Sequence, residues 1–536
     1  MVKLEKSRKR LSLIALICAV LMIAGLMTFN SNIDVQAKNG RVKNVIMLIP
    51  DGTSIEAITI ARWYNGGKPF AMDEIAVGLT RTHWRNGPIT DSAPGGTAYA
   101  IGHKTDDKHV GVIEGGKPKA TLIEAARLSG KSTGIVATSE VMHATPADFT
   151  AHDPDRGNYN SLMKQQIYNS LDVVLGGGNR FFTPEAGGKR ADGKDLIETI
   201  KGLGYEYVTT KEGMKESNSS KLWGAFADKD LQYDIDRIAA KSEEPTLAEM
   251  SKKAIEILSK DKDGFFLMIE GSKIDWAAHD NDPAGMAGDI AAFDAAVKVA
   301  LDFAKKDGNT VVVSSADHGT GGPIIGGINP KYSSVTFKDS IDRLKSAKIS
   351  LEYANTLLKG ADDNKVREIF KDFYGINDPT AEEIAMAKNE KINKVISNRA
   401  NISWAYGGHN GGDVGLYNYA PIGSEKLGGV VDNTEVGRYM ARVLGLDLDK
   451  TSERLFVNAK EAFEDAEITM DTSDKDNPIL KVKKGKKTLE LFGYSNVARI
   501  DGKEIKLEGV IVTNKTSKGY SVEDTYVPMQ AVKLIK

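Results

Sequence analysis

Asn44-Val45-Ile46-Met47-Leu48-Ile49-Pro50-Asp51-Gly52-Thr53-Ser54 decides the fold of this 536-residue chain. The apolar run is unbroken where a half-exposed strand would alternate, so it reads as a strand buried on both faces of a parallel sheet. It stops at Pro50-Asp51-Gly52, and a helical pattern follows over residues 55–63. The same grammar returns along the chain. Ile135-Val136-Ala137 leads into Thr138-Ser139, and Val173-Val174-Leu175 ends in three glycines. Residues 265–269 end at Glu270, and Val311-Val312-Val313 runs into Ser314-Ser315-Ala316-Asp317-His318. Helical stretches at Leu122–Leu128, Leu247–Leu258 and 290–304 lie between them. This alternation predicts an α/β fold: a three-layer sandwich around a mostly parallel central sheet. Ligand sites of such sheets gather at the carboxyl ends of the strands, where Asp51, Glu270, Asp317 and His318 fall.

Thr90-Asp91-Ser92-Ala93-Pro94-Gly95-Gly96-Thr97 reads as a loop that presents one hydroxyl and then turns into a small-residue helix. Asp91 and Ser92 are N-cap types and Pro94 suits a first turn. A serine there faces free N–H groups, a seat for an anion such as phosphate. An ordinary capped helix explains these residues equally well. A hydroxyl is a weak nucleophile without a base or metal to activate it, and no Gly-x-Ser-x-Gly elbow surrounds Ser92.

The eight histidines supply a metal. Asp275-Trp276-Ala277-Ala278-His279 sets a carboxylate and an imidazole four apart on one helix face. Asp317-His318 sits at a strand end, and His409 lies among glycines in Gly407-Gly408-His409-Asn410-Gly411-Gly412. Carboxylate and imidazole ligands without thiolate suit catalytic zinc. Asp51 and Glu270 with the Thr145 hydroxyl suit a harder ion such as magnesium. Two metals would clamp the attacking and leaving oxygens of an in-line displacement, and Arg156 could fork onto phosphoryl oxygens. Each residue taken singly has a structural or surface reading.

Six ordered motifs carry a resemblance to the bacterial alkaline phosphatases: Leu48-Ile-Pro-Asp51-Gly, Thr90-Asp-Ser92-Ala, His143-Ala-Thr145-Pro, Glu270-Gly-Ser-Lys-Ile-Asp275 with His279, Ala316-Asp317-His318 and Gly408-His409. The likeness covers nearly all of residues 43–445. It implies that Ser92 is the nucleophile, becoming phosphoserine, and that Arg156 binds the phosphate. Asp275, His279 and His409 would hold one Zn2+, and Asp51, Asp317 and His318 a second. Asp51, Thr145 and Glu270 would hold Mg2+. The substrates implied are phosphate monoesters, hydrolysed at alkaline pH by a homodimer. Two positions depart from the enterobacterial pattern, which has Asp at His143 and Lys at Trp276. An imidazole beside the third site, with His143 as a further candidate ligand, would let Zn2+ or Co2+ replace Mg2+. Losing the lysine predicts faster phosphate release. Within the same superfamily a phosphodiesterase is the alternative. A sulfatase is disfavoured because Ser92-Ala-Pro-Gly-Gly lacks the Cys/Ser-x-Pro-x-Arg arginine.

Composition bounds the setting. The formal net charge of −2 gives no reason to expect nucleic-acid binding. Lys3, Lys6, Arg8, Lys9 and Arg10 precede an uncharged apolar run over 11–29, and Val35-Gln36-Ala37 is a small-residue cleavage site. Residues 1–37 thus read as a secretory signal peptide, and the product as secreted or cell-surface. A retained anchor is the competing reading, since nineteen uncharged residues just span a bilayer. Cys18, the one cysteine, leaves with the leader, so no internal disulfide is expected.

The catalytic domain is expected over 38–465, with a helical insertion at about 325–400 whose helices fall near 337–347 and 381–395. A helix at 434–443 closes it. From residue 466 a small β-rich module is expected. Leu480-Lys-Val-Lys-Lys alternates, Arg499-Ile-Asp501-Gly502-Lys reads as a hairpin, and Tyr526-Val-Pro-Met-Gln-Ala-Val follows. These stretches resemble the copper-amine-oxidase N-terminal-like modules of secreted bacterial proteins. Residues 466–536 hold neither His nor Cys, so attachment to wall or surface, or spacing, is expected there before chemistry.

Overall fold

A computed structural model describes residues 42–184, 190, 192–329 and 331–535. The leader read at residues 1–37 lies outside the described residues. No described helix is long and apolar enough to cross a membrane.

The central sheet has ten strands among the described residues. At its middle the Asn44–Pro50 strand pairs in parallel with Thr310–Ser315 on one side and Phe265–Gly271 on the other. The sheet continues in parallel through Ser132–Glu140, Val173–Gly177, Leu222–Ala225 and Glu206–Val208. Beyond Thr310–Ser315 it runs through Val414–Tyr419, Ala76–Arg81 and Gly429–Asp432, and the Val414–Tyr419 strand is antiparallel to both neighbours.

The unbroken apolar run is explained by burial on both faces. Along Asn44–Pro50, Val45, Met47 and Ile49 enter one core with Ile101, Leu122 and Tyr439, while Ile46 and Leu48 enter the opposite core with Ile58, Ala254 and Phe293. Helices Ser92–Ile101, Leu122–Leu128 and Asn433–Leu444 therefore cover the first face, and Ile55–Tyr64, Leu247–Leu258 and Pro283–Asp307 the second. Successive strand residues alternate faces, so a strand covered twice must be apolar throughout. Gly437 shows how close one layer packs. A Cβ there would lie 2.4 Å from the Tyr99 carbonyl oxygen.

The helical pattern at 290–304 is only part of a 25-residue helix, Pro283–Asp307, whose Asp282 side chain caps Ala284 N. The insertion is bracketed by a ribbon, Pro323–Ile325 against Ile402–Trp404. Its helices differ from the expected ones. The 337–347 stretch holds only Ile341–Lys345, and 381–395 divides into Ala381–Lys388 and Ile392–Arg399, with Glu390 between them at φ 59°. Two further helices, Leu351–Leu358 and Asp363–Tyr374, lie between. Its apolar residues Leu344, Ile369, Phe370 and Val395 join the second core directly.

The C-terminal part forms a five-stranded antiparallel sheet, Glu467–Asp471 to Lys503–Lys506, beside a small three-stranded one. Asp501 and Gly502, at φ 48° and 85°, make the expected tight turn. Residues 525–531 give a short strand, Thr525–Val527, then helix Met529–Ile535. Val457–Asn458 pairs with this strand, and Ala459 and Phe463 belong to the module's core. Its packing thus starts ahead of the boundary drawn at residue 465. Nor is it a loose appendage. Leu455, Phe456, Val510 and Val512 form one buried cluster with Ala120 of the α/β unit. Asn514 Nδ2 donates to the Gly116 carbonyl at 2.7 Å. At about 1.5–3 kcal/mol for each large apolar side chain removed from water, this docking is firm.

Candidate active site

The Ser92–Ile101 helix is buried over its whole length, with Ser92 as its first residue. Its small residues are needed because the helix lies directly on the strand-end loops. A Cβ at Gly95 would stand 3.0 Å from the Asp317 carbonyl oxygen, and one at Gly96 would stand 2.3 Å from Asp148 Oδ2. Ser92 Oγ lies 3.2 Å from His318 Nε2. Asp91 occupies the N-cap position, yet its side chain makes no capping bond. It accepts instead from Arg156 Nη1 at 2.5 Å.

Three adjacent parallel strands deliver the acidic groups. Asp51 follows Asn44–Pro50, Glu270 lies within Phe265–Gly271, and Asp317 and His318 follow Thr310–Ser315. Gly52, at φ 66°, turns the chain after Asp51; a Cβ there would sit 2.4 Å from Asp275 Oδ1. Its N–H donates to Asp317 Oδ1 at 3.2 Å. Helix Lys273–His279 places Asp275 and His279 one turn apart, Oδ2 to Nε2 3.3 Å. His409 enters through a two-residue ladder in which it pairs with Thr320. That register lays its ring on His318, centroids 3.7 Å apart.

The ligand atoms of Asp51, Asp317 and His318 converge within 4.8 Å, and so do those of Asp275, His318 and His409. His279 Nε2 approaches His409 Nε2 to 3.0 Å. Both histidines have Nδ1 at 2.9 Å from a backbone carbonyl, of Gly407 and Thr90 respectively. Such a bond places the ring proton on Nδ1 and turns the Nε2 lone pair outward. Two ring nitrogens facing each other at that distance want a cation between them, a proton or a metal ion. The oxygens say the same. Both Asp51 carboxylate oxygens, Asp317 Oδ2, Glu270 Oε1 and Thr145 Oγ1 are buried without a hydrogen-bond partner among the described residues. Asp51, Glu270 and Asp317 are fully buried and Asp275 nearly so. Stranded buried carboxylates are costly unless countercharged, and the donor set fits divalent metals.

Protonation follows this crowding. Burial, then the carboxylates of Asp317, Asp275 and Glu270, push Asp51 well above the usual range. Burial raises Glu270 to about 7. Burial also works to raise Asp275, but the hydrogen bond from His279 and the nearby imidazoles outweigh it and hold it low. The same bond lifts His279 to about 9.

Arg156 donates from Nη1 to Asp91 and from Nη2 to His143 Nε2 at 3.0 Å. Burial, then the arginine's charge, lowers His143 to about 3, so its ring is neutral. His143 is the N-cap of the Ala144–Asp148 helix that carries Thr145. Its ring meets Trp276 edge-on at 5.6 Å.

Sequence reading missed three supports. Thr320 Oγ1 donates to Asp275 Oδ1 at 2.6 Å and lies 3.2 Å from His318 Nδ1. Its place two residues after His318 on an extended segment was the available signal. Asp148 accepts from Thr97 at 2.9 Å beneath the Ser92 helix. Lys273 is buried against Asp230 and Glu352, with Nζ 4.7 Å from the Trp276 ring centre.

A family model described as alkaline phosphatase matches residues 42–446. The chain belongs to the alkaline phosphatase family. It is 38% identical to alkaline phosphatase 3 of Bacillus subtilis over 431 residues, 75% of this chain and 89% of the relative. The solved alkaline phosphatase of Thermus thermophilus superposes with a TM-score of 0.70 at 29% identity, covering 78% of this chain and 94% of that one. A structure of a histidine-to-aspartate mutant of TAB5 alkaline phosphatase, with Mg bound in its M3 site, superposes with a TM-score of 0.58 at 27% identity, covering 76% and 99%. The chain is thus a phosphoric monoester hydrolase, and the large mixed sheet is the family's fold.

Proposed function

We propose that this enzyme hydrolyses phosphate monoesters outside the cytoplasm through a phosphoserine on Ser92, at a site for two Zn2+ and one Mg2+. The single observation carrying this reading is the convergence of partnerless carboxylate oxygens and outward imidazole lone pairs beside the Ser92 hydroxyl. Asp275, His279 and His409 would hold one zinc, Asp51, Asp317 and His318 the other, and Asp51, Thr145 and Glu270 the magnesium. Bound there, the ions would lower the pKa of the serine hydroxyl and of water and neutralise phosphoryl charge. Ser92 Oγ bonds to phosphorus as the ester P–O bond breaks and the alcohol leaves with a proton; water then cleaves Oγ–P, releasing inorganic phosphate. The N–H groups at the start of the Ser92 helix favour the anion. Arg156, held by Asp91 and His143, keeps its remaining N–H bonds for phosphoryl oxygens.

His143 beside the third site makes that site tolerant of Zn2+ or Co2+, because an imidazole donor suits those ions better than Mg2+. Export rests on the basic and apolar pattern of residues 3–37, and a homodimer rests on the family likeness. The test is Ser92→Ala with metal content measured, alongside acid trapping of labelled phosphate on wild-type enzyme. Loss of trapping and turnover with zinc retained is expected. Continued hydrolysis by a zinc-loaded variant would sink the mechanism.

A further inference from the structure

The C-terminal module shares a cavity with the loop that carries Arg156. This cavity, about 210 Å³, is bounded by residues 157–161 and Phe181 of the α/β unit and by Asp476, Tyr494, Lys515 and Tyr520 of the module. It is smaller than the roughly 300 Å³ at which pockets enclose whole drug-sized ligands, so it suits one moiety of a larger molecule.

Its walls are aromatic. Tyr159 and Phe181 pack at 5.3 Å on one side, and Tyr494 and Tyr520 at 6.3 Å on the other. Polar groups stand between them. Among the described residues no side-chain hydrogen bond occupies the Asn160 amide or the Asp476 carboxylate, and the Lys515 ammonium stands 5.7 Å from the Tyr520 ring centre. Aromatic faces with a free amide, a free carboxylate and a cation at the rim are the elements that stack a heterocyclic base and bond its edges.

The cavity is mechanically tied to the phosphate site. Asp153 Oδ1 accepts from Asp155 N at 2.9 Å, shaping the turn into Arg156, and from Asn158 Nδ2 at 2.8 Å. Asp153 Oδ2 accepts from Ser161 Oγ at 2.6 Å. One carboxylate therefore orders both the arginine loop and the cavity floor. The Tyr159 hydroxyl lies in the field of the site: besides burial, Glu140, Arg156 and Glu270 all act on it.

We propose that this cavity is a leaving-group subsite taking the base of a nucleoside monophosphate while its phosphate lies at Ser92 and Arg156. The proposal rests on the phosphomonoesterase reading above. It makes the module a part of substrate selection, beyond attachment.

The test compares kcat/KM for adenosine 5′-monophosphate and for glycerol 2-phosphate in wild type, Tyr520→Ala and Tyr520→Phe, with adenosine as a competitive inhibitor of both esters. Base stacking on an aromatic side chain predicts about a tenfold loss for the nucleotide in Tyr520→Ala. Glycerol 2-phosphate should be unaffected, Tyr520→Phe should recover the nucleotide rate, and adenosine inhibition should weaken in step. An equal loss on both esters, or no loss on the nucleotide, overturns the subsite. A wild-type enzyme that hydrolyses neither ester would instead overturn the phosphomonoesterase reading.

Discussion

Thr320→Val tests the site where its organisation is least obvious from sequence. The Thr320 hydroxyl donates its proton to Asp275 Oδ1 at 2.6 Å and faces His318 Nδ1 at 3.2 Å. One hydroxyl thus orients a carboxylate and an imidazole assigned to different zinc ions. Valine keeps the branched shape and removes only the polar contact. Thr320 is 1% exposed, so bulk water does not replace the hydroxyl. Leaving a buried acceptor unpartnered costs about 1–3 kcal/mol, and loss of an outer-shell partner of a metal ligand lowers metal affinity about 10–100-fold. The two figures describe one effect, since about 1.4 kcal/mol is tenfold. The variant should therefore lose zinc to a competing chelator at 10–100-fold lower chelator concentration, while kcat at saturating zinc stays within a few-fold of wild type. Thr320→Ser should behave as wild type. Reactivation titrations with buffered free zinc measure this. A folded Thr320→Val enzyme with unchanged zinc affinity would refute the orienting role.

Three further outcomes follow from the same geometry. Gly437→Ala places a Cβ 2.4 Å from the Tyr99 carbonyl, forcing helix Asn433–Leu444 off the Ser92 helix. The cost is about 1–3 kcal/mol, and a denaturant midpoint equal to wild type would refute it. The buried Glu124–His152 pair, 3.0 Å apart, should give a two-sided pH dependence. Burial opposes both charges, but His152 holds Glu124 below its ordinary 4.5, and Glu124 holds His152 above its ordinary 6.5. The glutamate's contribution is full above pH 4.5 and lost as pH falls through its lowered pKa. The histidine's is full below pH 6.5 and lost as pH rises through its raised pKa. The stability gap between wild type and Glu124→Gln should hence be widest between those values, and a flat gap would contradict it. Trp276→Lys removes the ring that meets His143 at 5.6 Å and adds a cation; stronger phosphate inhibition and slower turnover are expected, with unchanged kinetics as the contrary result.

The sheet was legible because burial on two faces leaves a chemical trace: Asn44–Pro50, Phe265–Gly271 and Thr310–Ser315 cannot alternate. The acids at their ends were legible for the same reason, since a charged residue after an apolar run has few reasons to be there. The insertion was less so. Residues 381–395 keep an apolar period across Asn389-Glu390-Lys391, and the break is a single left-handed residue that no glycine announces. Asp91 was misleading only as a cap, since its charge was expected to help position Arg156 and does bond it. N-cap preference is a local statistic, and the Arg156 loop, 65 residues away, claimed the carboxylate for a charge-assisted bond worth more than a cap.

The module boundary carries a similar lesson with functional weight. Composition changes at residue 466, but packing changes earlier, because Val457–Asn458 must pair with Thr525–Val527 and Phe456 must cover the His152 ring at 4.6 Å. His152 stands four residues before Arg156 and bonds Gly111 and Glu124. The module's docking side chains therefore press on the segment that leads into Arg156, the arginine proposed to bind phosphate. A domain that only tethered the enzyme would need no such contact. Its burial against this particular loop joins module stability to the placement of Arg156, since Phe456 and His152 pack in one cluster of contacts between the module and the α/β unit.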